Sequence, residues 1–197
     1  MTIRLLGISG SLRRDSYNHA LLRAAARLAP EGVDLVVHEG LKDVPVFDED
    51  RESDPPHGVR ALRAAVQGAD GVLLATPEYN QSIPGSMKNV IDWLSRSDHL
   101  EGKPVAVVGA TSGPWGTRIA QSQLRQILLA VGAPVLPAPT LFVPRADEVF
   151  DAGGELVDGE TLRRLAGIVS ALVDWTSLHG SATVRQPSRL ELSGPVS

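Results

Sequence analysis

The sequence predicts an α/β fold: a five-stranded, doubly wound parallel sheet in the order 2-1-3-4-5, with helices on both faces. Three observations predict it. Short apolar runs alternate with segments of helical period along almost the whole chain, and parallel neighbours require such crossovers, which are right-handed. The central runs are apolar without alternation, as strands covered on both faces should be. The strand segments number five, which fits the 2-1-3-4-5 order better than a six-strand dinucleotide fold.

Ile3 to Ile8 reads as the first strand, and Leu21, Ala24, Ala25 and Leu28 mark a helix that begins near Ser16 and stops before Pro30 and Gly32. Asp34 to His38 is the second strand. After a long acidic loop, Val59, Leu62 and Val66 line a helix ending near Gly68. Gly71 to Thr76 (GVLLAT) is the third strand, and Ile83, Met87, Val90, Ile91 and Leu94 line the helix that Pro84 opens. Pro104 to Ala110 is the fourth strand, followed by a helix with Leu124, Ile127, Leu128 and Val131 on one face and Gly132 as its stop. The Pro-interrupted stretch Pro134 to Val143 is expected to be the last strand, and a final helix runs from about Thr161. One domain, 1–180, is expected, with a tail at 181–197 that is either mobile or an arm packing on a neighbouring subunit.

Composition removes several function classes. A net charge of −4 with no strong Lys/Arg cluster provides no field for nucleic acid or an anionic membrane surface. The chain has no cysteine, so thiolate nucleophiles, Cys-based zinc sites and iron–sulfur clusters are excluded and redox chemistry requires an organic cofactor or a non-thiolate metal. The apolar run at the N-terminus is shorter than a signal-peptide core or a membrane span, which places the expected location in the cytoplasm. The run Asp48, Glu49, Asp50, Glu52, Asp54 lacks the glycine and terminal glutamate of a calcium loop, and the histidines show no ligand spacing, so no metal is expected.

In a doubly wound sheet ligands sit beyond the carboxyl ends of the strands, where the order reverses. The segments after strands one, three and four therefore carry the function. The first, Gly10 to Asn18 (GSLRRDSYN), lacks both G-x-x-x-x-G-K-[ST] and G-x-G-x-x-G, so it is built neither for a magnesium triphosphate nor for a pyrophosphate. Ser9, Ser11, Ser16 and Asn18 as donors, Arg13 and Arg14 as cations, and a helix N-terminus just beyond suit a terminal monophosphate. The alternative is that Ser16 is only an N-cap and the arginines are solvated. Arg14 in particular is either solvated or available to a second nucleotide.

The second segment, Thr76 to Asn89 (TPEYNQSIPGSMKN), is stiffened by Pro77 and Pro84 and so can present backbone groups in fixed directions to the edge of a planar heterocycle; Tyr79 and Asn80 add an aromatic face and an amide. Glu78, a carboxylate with no partner in sequence, is expected to fix loop backbone or pair with an arginine rather than act as a general base. The third segment, Ala110 to Thr117 (ATSGPWGT), supplies permissive Gly113 and Gly116, hydroxyls on Ser112 and Thr117, and Trp115, which either packs or stacks on a ligand. Together the three describe a phosphate site beside a grip for a flat ring, a shape that FMN fits.

These stretches, TPEYNQSIPGSMKNVIDWLSR above all, resemble the NADPH-dependent FMN reductase family, which includes quinone and chromate reductases. The resemblance covers Met1 to about Gly180 and implies a flavodoxin-like fold, bound FMN, a homodimer or homotetramer, and reduction of quinones, flavins, azo compounds or metal oxyanions with NADPH or NADH. By position, Ser11, Arg13, Ser16, Tyr17 and Asn18 match the FMN-phosphate loop, Pro77, Glu78, Tyr79 and Asn80 the loop beside the isoalloxazine, and Ser112 and Gly113 the loop near its pyrimidine side. The stretch Gln121 to Leu128 matches a helix near a subunit contact, without the aromatic residue the family often has around Ser122 or Gln123. The implied chemistry is a hydride relay from nicotinamide to flavin to a small-molecule acceptor, with backbone donors of the third loop stabilising negative charge on the ring. No side chain is assigned as acid, base or nucleophile. An FMN-binding electron carrier or redox sensor, and a module for another mononucleotide, are the rival readings.

Overall fold

A computed structural model describes residues 2–180, so the expected tail at 181–197 lies outside the described residues. Within them the elements run β1 (Ile3–Ser9), α1 (Tyr17–Arg27), β2 (Val33–Val37), α2 (His57–Gln67), β3 (Gly71–Ala75), α3 (Gly85–Ser95), β4 (Val105–Ala110), α4 (Arg118–Ala130), β5 (Leu141–Val143), α5 (Ala146–Val149) and α6 (Gly159–Gly180). The strands form one parallel sheet in the order β2-β1-β3-β4-β5, as the alternation of elements predicts.

Side chains alternate between the two faces. Leu5, Leu73, Ala75, Ala106, Val108 and Leu141 pack against α1 and α6, which bring Leu21, Leu22, Leu165, Val169 and Leu172. Leu6, Ile8, Val72, Leu74, Val105 and Val107 pack against α2, α3 and α4, which bring Leu62, Val66, Met87, Trp93, Leu124 and Leu128. Every residue of β3 and β4 is buried, which accounts for their uninterrupted apolar sequence. The register pairs Ser9 with Ala75, Ala75 with Val108 and Ala110 with Val143, so β1, β3 and β4 end side by side and the three loops leave from one edge.

Two local features depart from expectation. The last strand is Leu141–Val143 alone, while Val135 makes one isolated parallel bridge to Val105. Pro134, Pro137 and Pro139 have no N–H to give a ladder, and this is the sheet edge, where such interruptions are confined. The short α5 follows Arg145, whose backbone is left-handed (φ 44°, ψ 53°), and no sequence period announced it. The acidic loop is largely exposed; within it Asp48 accepts the Asp50 N–H at 3.1 Å, and Arg96 of the segment after α3 ties it down by bridging Glu52 at 2.6 Å and Glu49 at 3.0 Å.

Candidate functional site

The first loop is a chain of small hydrogen-bonded steps. Ser9 Oγ accepts the Ser11 N–H at 3.2 Å, and Ser11 Oγ accepts the Arg13 N–H at 3.4 Å. Ser16 caps α1 with extended backbone (φ −85°, ψ 125°) and its Oγ accepts the His19 N–H at 3.4 Å. Each of these hydroxyls is oriented by the bond it accepts and keeps its own proton to donate. Tyr17 and Asn18 lie in the first turn of α1, where backbone N–H groups have no intrahelical acceptor and the helix dipole favours an anion. Arg13 is exposed and donates to the Asp15 carbonyl at 2.8 Å, which holds its guanidinium beside the loop.

The Asn18 amide is engaged across the sheet edge: Nδ2 donates to the Ala110 carbonyl and Oδ1 accepts the Ala110 N–H, both at 2.9 Å, and the residue is buried. Asn18 thereby ties the start of α1 to the end of β4, fixing the first loop against the third, and in the cleft it lines it retains its backbone N–H and the second Nδ2 proton as donors. Asn18→Leu keeps the size and leaves both Ala110 groups buried without a partner, so urea unfolding is expected to show a loss of about 2–4 kcal/mol.

The second loop is a rigid hairpin. Tyr79 and Ser82 exchange backbone hydrogen bonds at 2.9 and 3.0 Å, and the two residues between them, Asn80 and Gln81, both have positive φ (51° and 58°), the signature of a type I′ turn. Gln123 of α4 clamps it, accepting from Ser82 Oγ at 2.7 Å and donating to the Gln81 carbonyl at 3.2 Å. Glu78 supplies the backbone-fixing role expected of it: one carboxylate oxygen accepts the Ile119 and Ala120 N–H groups at 3.0 Å each, capping α4. Glu78→Ala is expected to lower stability by about 1 kcal/mol, read in a thermal scan, through the loss of this cap.

The third loop is anchored from behind. Thr111 donates its N–H to the Val143 carbonyl and accepts the Ala146 N–H, both at 3.0 Å, and the Gly113 carbonyl accepts the Arg145 N–H at 3.1 Å. Gly116 needs its glycine, with φ +70° and Phe142 Cβ only 3.0 Å from where a side chain would begin. Thr117 is fully buried and its Oγ1 accepts from Gln121 Nε2 at 2.9 Å. Trp115 is 78% exposed and stacks on no ring among the described residues.

These elements enclose a cleft of about 80 Å³, large enough for a phosphate group and continuous with the open edge of the sheet. Of the predicted site residues, Ser11, Arg13, Ser16, Tyr17, Asn18, Pro77, Tyr79 and Ser112 line it. Glu78 points away to α4, Asn80 sits at the exposed hairpin tip, and Gly113 lies just outside. Sequence reasoning missed Ala110 and Thr111 in the lining and Gln123 as a clamp. Each depends on a partner from another loop, for which no local signal exists.

The donor set fits a phosphate monoester: two hydroxyls with free protons, a helix N-terminus, an adjacent guanidinium, and no cluster of three metal-ligating side chains among the described residues. Fold and cleft together define a flavodoxin-like protein with a cleft at the switch point of its sheet whose donors suit the phosphate of a mononucleotide. The chain belongs to the NADPH-dependent FMN reductase family, whose sequence model matches residues 3–148. An NAD(P)H-dependent FMN reductase of Pseudomonas aeruginosa is 39% identical over 176 residues, 88% of this chain and 95% of that protein. A 2-hydroxy-1,4-benzoquinone reductase of a Burkholderia species is 37% identical over 180 residues, 89% of this chain and 97% of the relative. The solved structure of FerB, a flavoenzyme NAD(P)H:(acceptor) oxidoreductase from Paracoccus denitrificans, superposes with a TM-score of 0.82 at 35% identity, covering 90% of this chain and 99% of that one. The protein is thus an oxidoreductase that uses FMN and NAD(P)H.

Proposed function

We propose that the protein transfers reducing equivalents from NAD(P)H through FMN to quinones and related small-molecule acceptors, with FMN held by the three loops. The observation that carries this is the convergence of a hydroxyl-and-cation cradle with two rigid loops on one cleft. Bound FMN supplies the hydride chemistry that a chain without cysteine cannot.

Ser11, Ser16 and the first N–H groups of α1 donate to the phosphate, and Arg13 offsets its charge. Pro77 and Tyr79 form one side of the grip on the ring, their direction set by the Gln123 clamp and the Glu78 cap. Ser112 forms the other side and would supply donors for the polar edge of the ring, where negative charge would need stabilising; the Gly113 N–H, which donates to Thr111 Oγ1 at 3.3 Å, fixes the shape of that loop. The chain positions and tunes; no side chain is required to attack the substrate.

The quinone assignment is supported by the Burkholderia relative. A homo-oligomer is part of the same reading, in keeping with the exposed apolar side chains Tyr79, Trp115 and Ile119 on the second loop, the third loop and the start of α4. A cytoplasmic location suits the use of NAD(P)H, and no described helix is long and apolar enough to cross a membrane. The test is anaerobic oxidation of NADPH by the FMN-loaded protein with benzoquinone as acceptor, in which stoichiometric turnover is expected. A yellow protein that leaves NADPH unoxidised would instead be an electron carrier or sensor.

A further inference from the structure

Beside the first loop, on the side facing β2, lies a second and larger cleft of about 330 Å³, the size of pocket that takes a small organic ligand. Four cations reach it: Arg13 and Arg14 from the loop, Arg23 from α1 and Lys42 from the turn after β2. Glu39 is the one carboxylate in the lining, and it is engaged by His19 Nε2 at 2.9 Å. Arg14, Arg23 and Lys42 have no acidic partner among the described residues, although Arg27, Arg60, Lys88, Arg96 and Arg145 all do. Three unpaired cations converging in a chain of net charge −4 make a local positive field that the fold itself does not use.

The rest of the lining is equally specific. Leu12 and Leu41 give apolar surface, and His38 presents a ring whose Nε2 has no hydrogen-bond partner. Burial holds the His38 imidazole below its ordinary pKa despite the pull of Glu39, so it stands there as a neutral ring able to donate or accept. On their far side Arg14 and Arg23 border another cleft that also contains Asp15 and Asp151; its carboxylates make it the poorer place for an anion.

We infer that this cleft binds the adenosine end of the nicotinamide co-substrate and that Arg14, Arg23 and Lys42 recognise a phosphate monoester on its ribose, giving a preference for NADPH over NADH. The inference rests on the proposed reductase reading, and geometry supports the link: Ser11 and Arg13 line both clefts, so one wall of the FMN-phosphate site is also a wall of this one. A dinucleotide crossing the first loop has its ring on the flavin side and its second phosphate-bearing ribose among the cations. Arg13 serves the first cleft, while Arg14, left unassigned by the sequence, serves the second.

Calorimetry on the FMN-loaded protein tests this without turnover, using adenosine 2′,5′-bisphosphate, adenosine 5′-monophosphate and inorganic phosphate as probes. The bisphosphate is expected to bind at least about tenfold more tightly than the monophosphate, with that advantage lost in Arg14→Ala/Arg23→Ala and partly restored by Arg14→Lys/Arg23→Lys, as a charge-assisted contact requires. The same alanine pair is expected to lower the ratio of kcat/KM for NADPH to that for NADH by about tenfold or more while FMN affinity stays unchanged. Equal binding of the two nucleotides, a bisphosphate affinity indifferent to the alanine pair, or inorganic phosphate binding as tightly as the bisphosphate would overturn the inference. Failure of the reductase reading looks different: neither nicotinamide is oxidised by the unaltered protein, whatever calorimetry shows.

Discussion

Replacing Arg13 and Ser16 together by alanine is expected to weaken FMN binding by about 3–6 kcal/mol, since each hydrogen bond to a charged group contributes about 1.5–3 kcal/mol. Quenching of flavin fluorescence on titration into apoprotein reads this directly. Ser16 also caps α1, so its loss costs about 1 kcal/mol of stability that has nothing to do with the ligand. Ser16→Asp separates the two roles. Aspartate caps as well as serine, so stability is retained, but it sets a carboxylate against the phosphate, and FMN binding should fall at least as far as in Ser16→Ala. If Ser16→Asp binds FMN as the unaltered protein does, the phosphate lies elsewhere.

The second large effect is expected at Gly109, in the middle of the site's scaffold. A methyl group there would begin 2.2 Å from Thr117 Oγ1 and 2.3 Å from the Thr76 carbonyl, one the start of α4 and the other the start of the second loop. Neither atom is at the end of a free side chain. Thr117 is held by Gln121, which also donates to the Leu141 carbonyl at 2.8 Å, and the Thr76 oxygen is backbone. Gly109→Ala must therefore force the second and third loops apart. It is expected to cost about 3 kcal/mol of stability, in the upper range for overpacking, and to weaken FMN binding although it touches no ligand. Denaturant unfolding and the same flavin titration check the two effects separately.

The parts of this architecture that could be read in the sequence are those whose causes are local. GVLLA is apolar throughout because β3 is covered on both faces, and Ser16 and Gly68 mark helix ends through their own chemistry. The last strand could not be bounded, because only its edge position tells which proline-flanked residues keep a ladder. The site divides in the same way. Ser11, Arg13 and Ser16, which the structure brings to one cleft, could be grouped in advance since they belong to a single loop. The second role of Asn18, its tie to Ala110, was not legible because that partner is 92 residues away. Glu78 was readable as a fixing residue but its target at α4 was not, and Gln123 gave no sign of its clamp. The cationic cleft escaped notice for a related reason: Arg14, Arg23 and Lys42 are scattered in sequence and meet only when α1 and the turn after β2 flank the same loop.

The claim on which the rest depends is that the first loop holds the terminal phosphate of a flavin mononucleotide. Side-by-side titration of the apoprotein with FMN and with riboflavin, which has the same ring and no phosphate, tests it most directly. The loop as described predicts a preference for FMN of at least about a thousandfold, the equivalent of two or more charge-assisted hydrogen bonds. Equal affinities for the two flavins would contradict it.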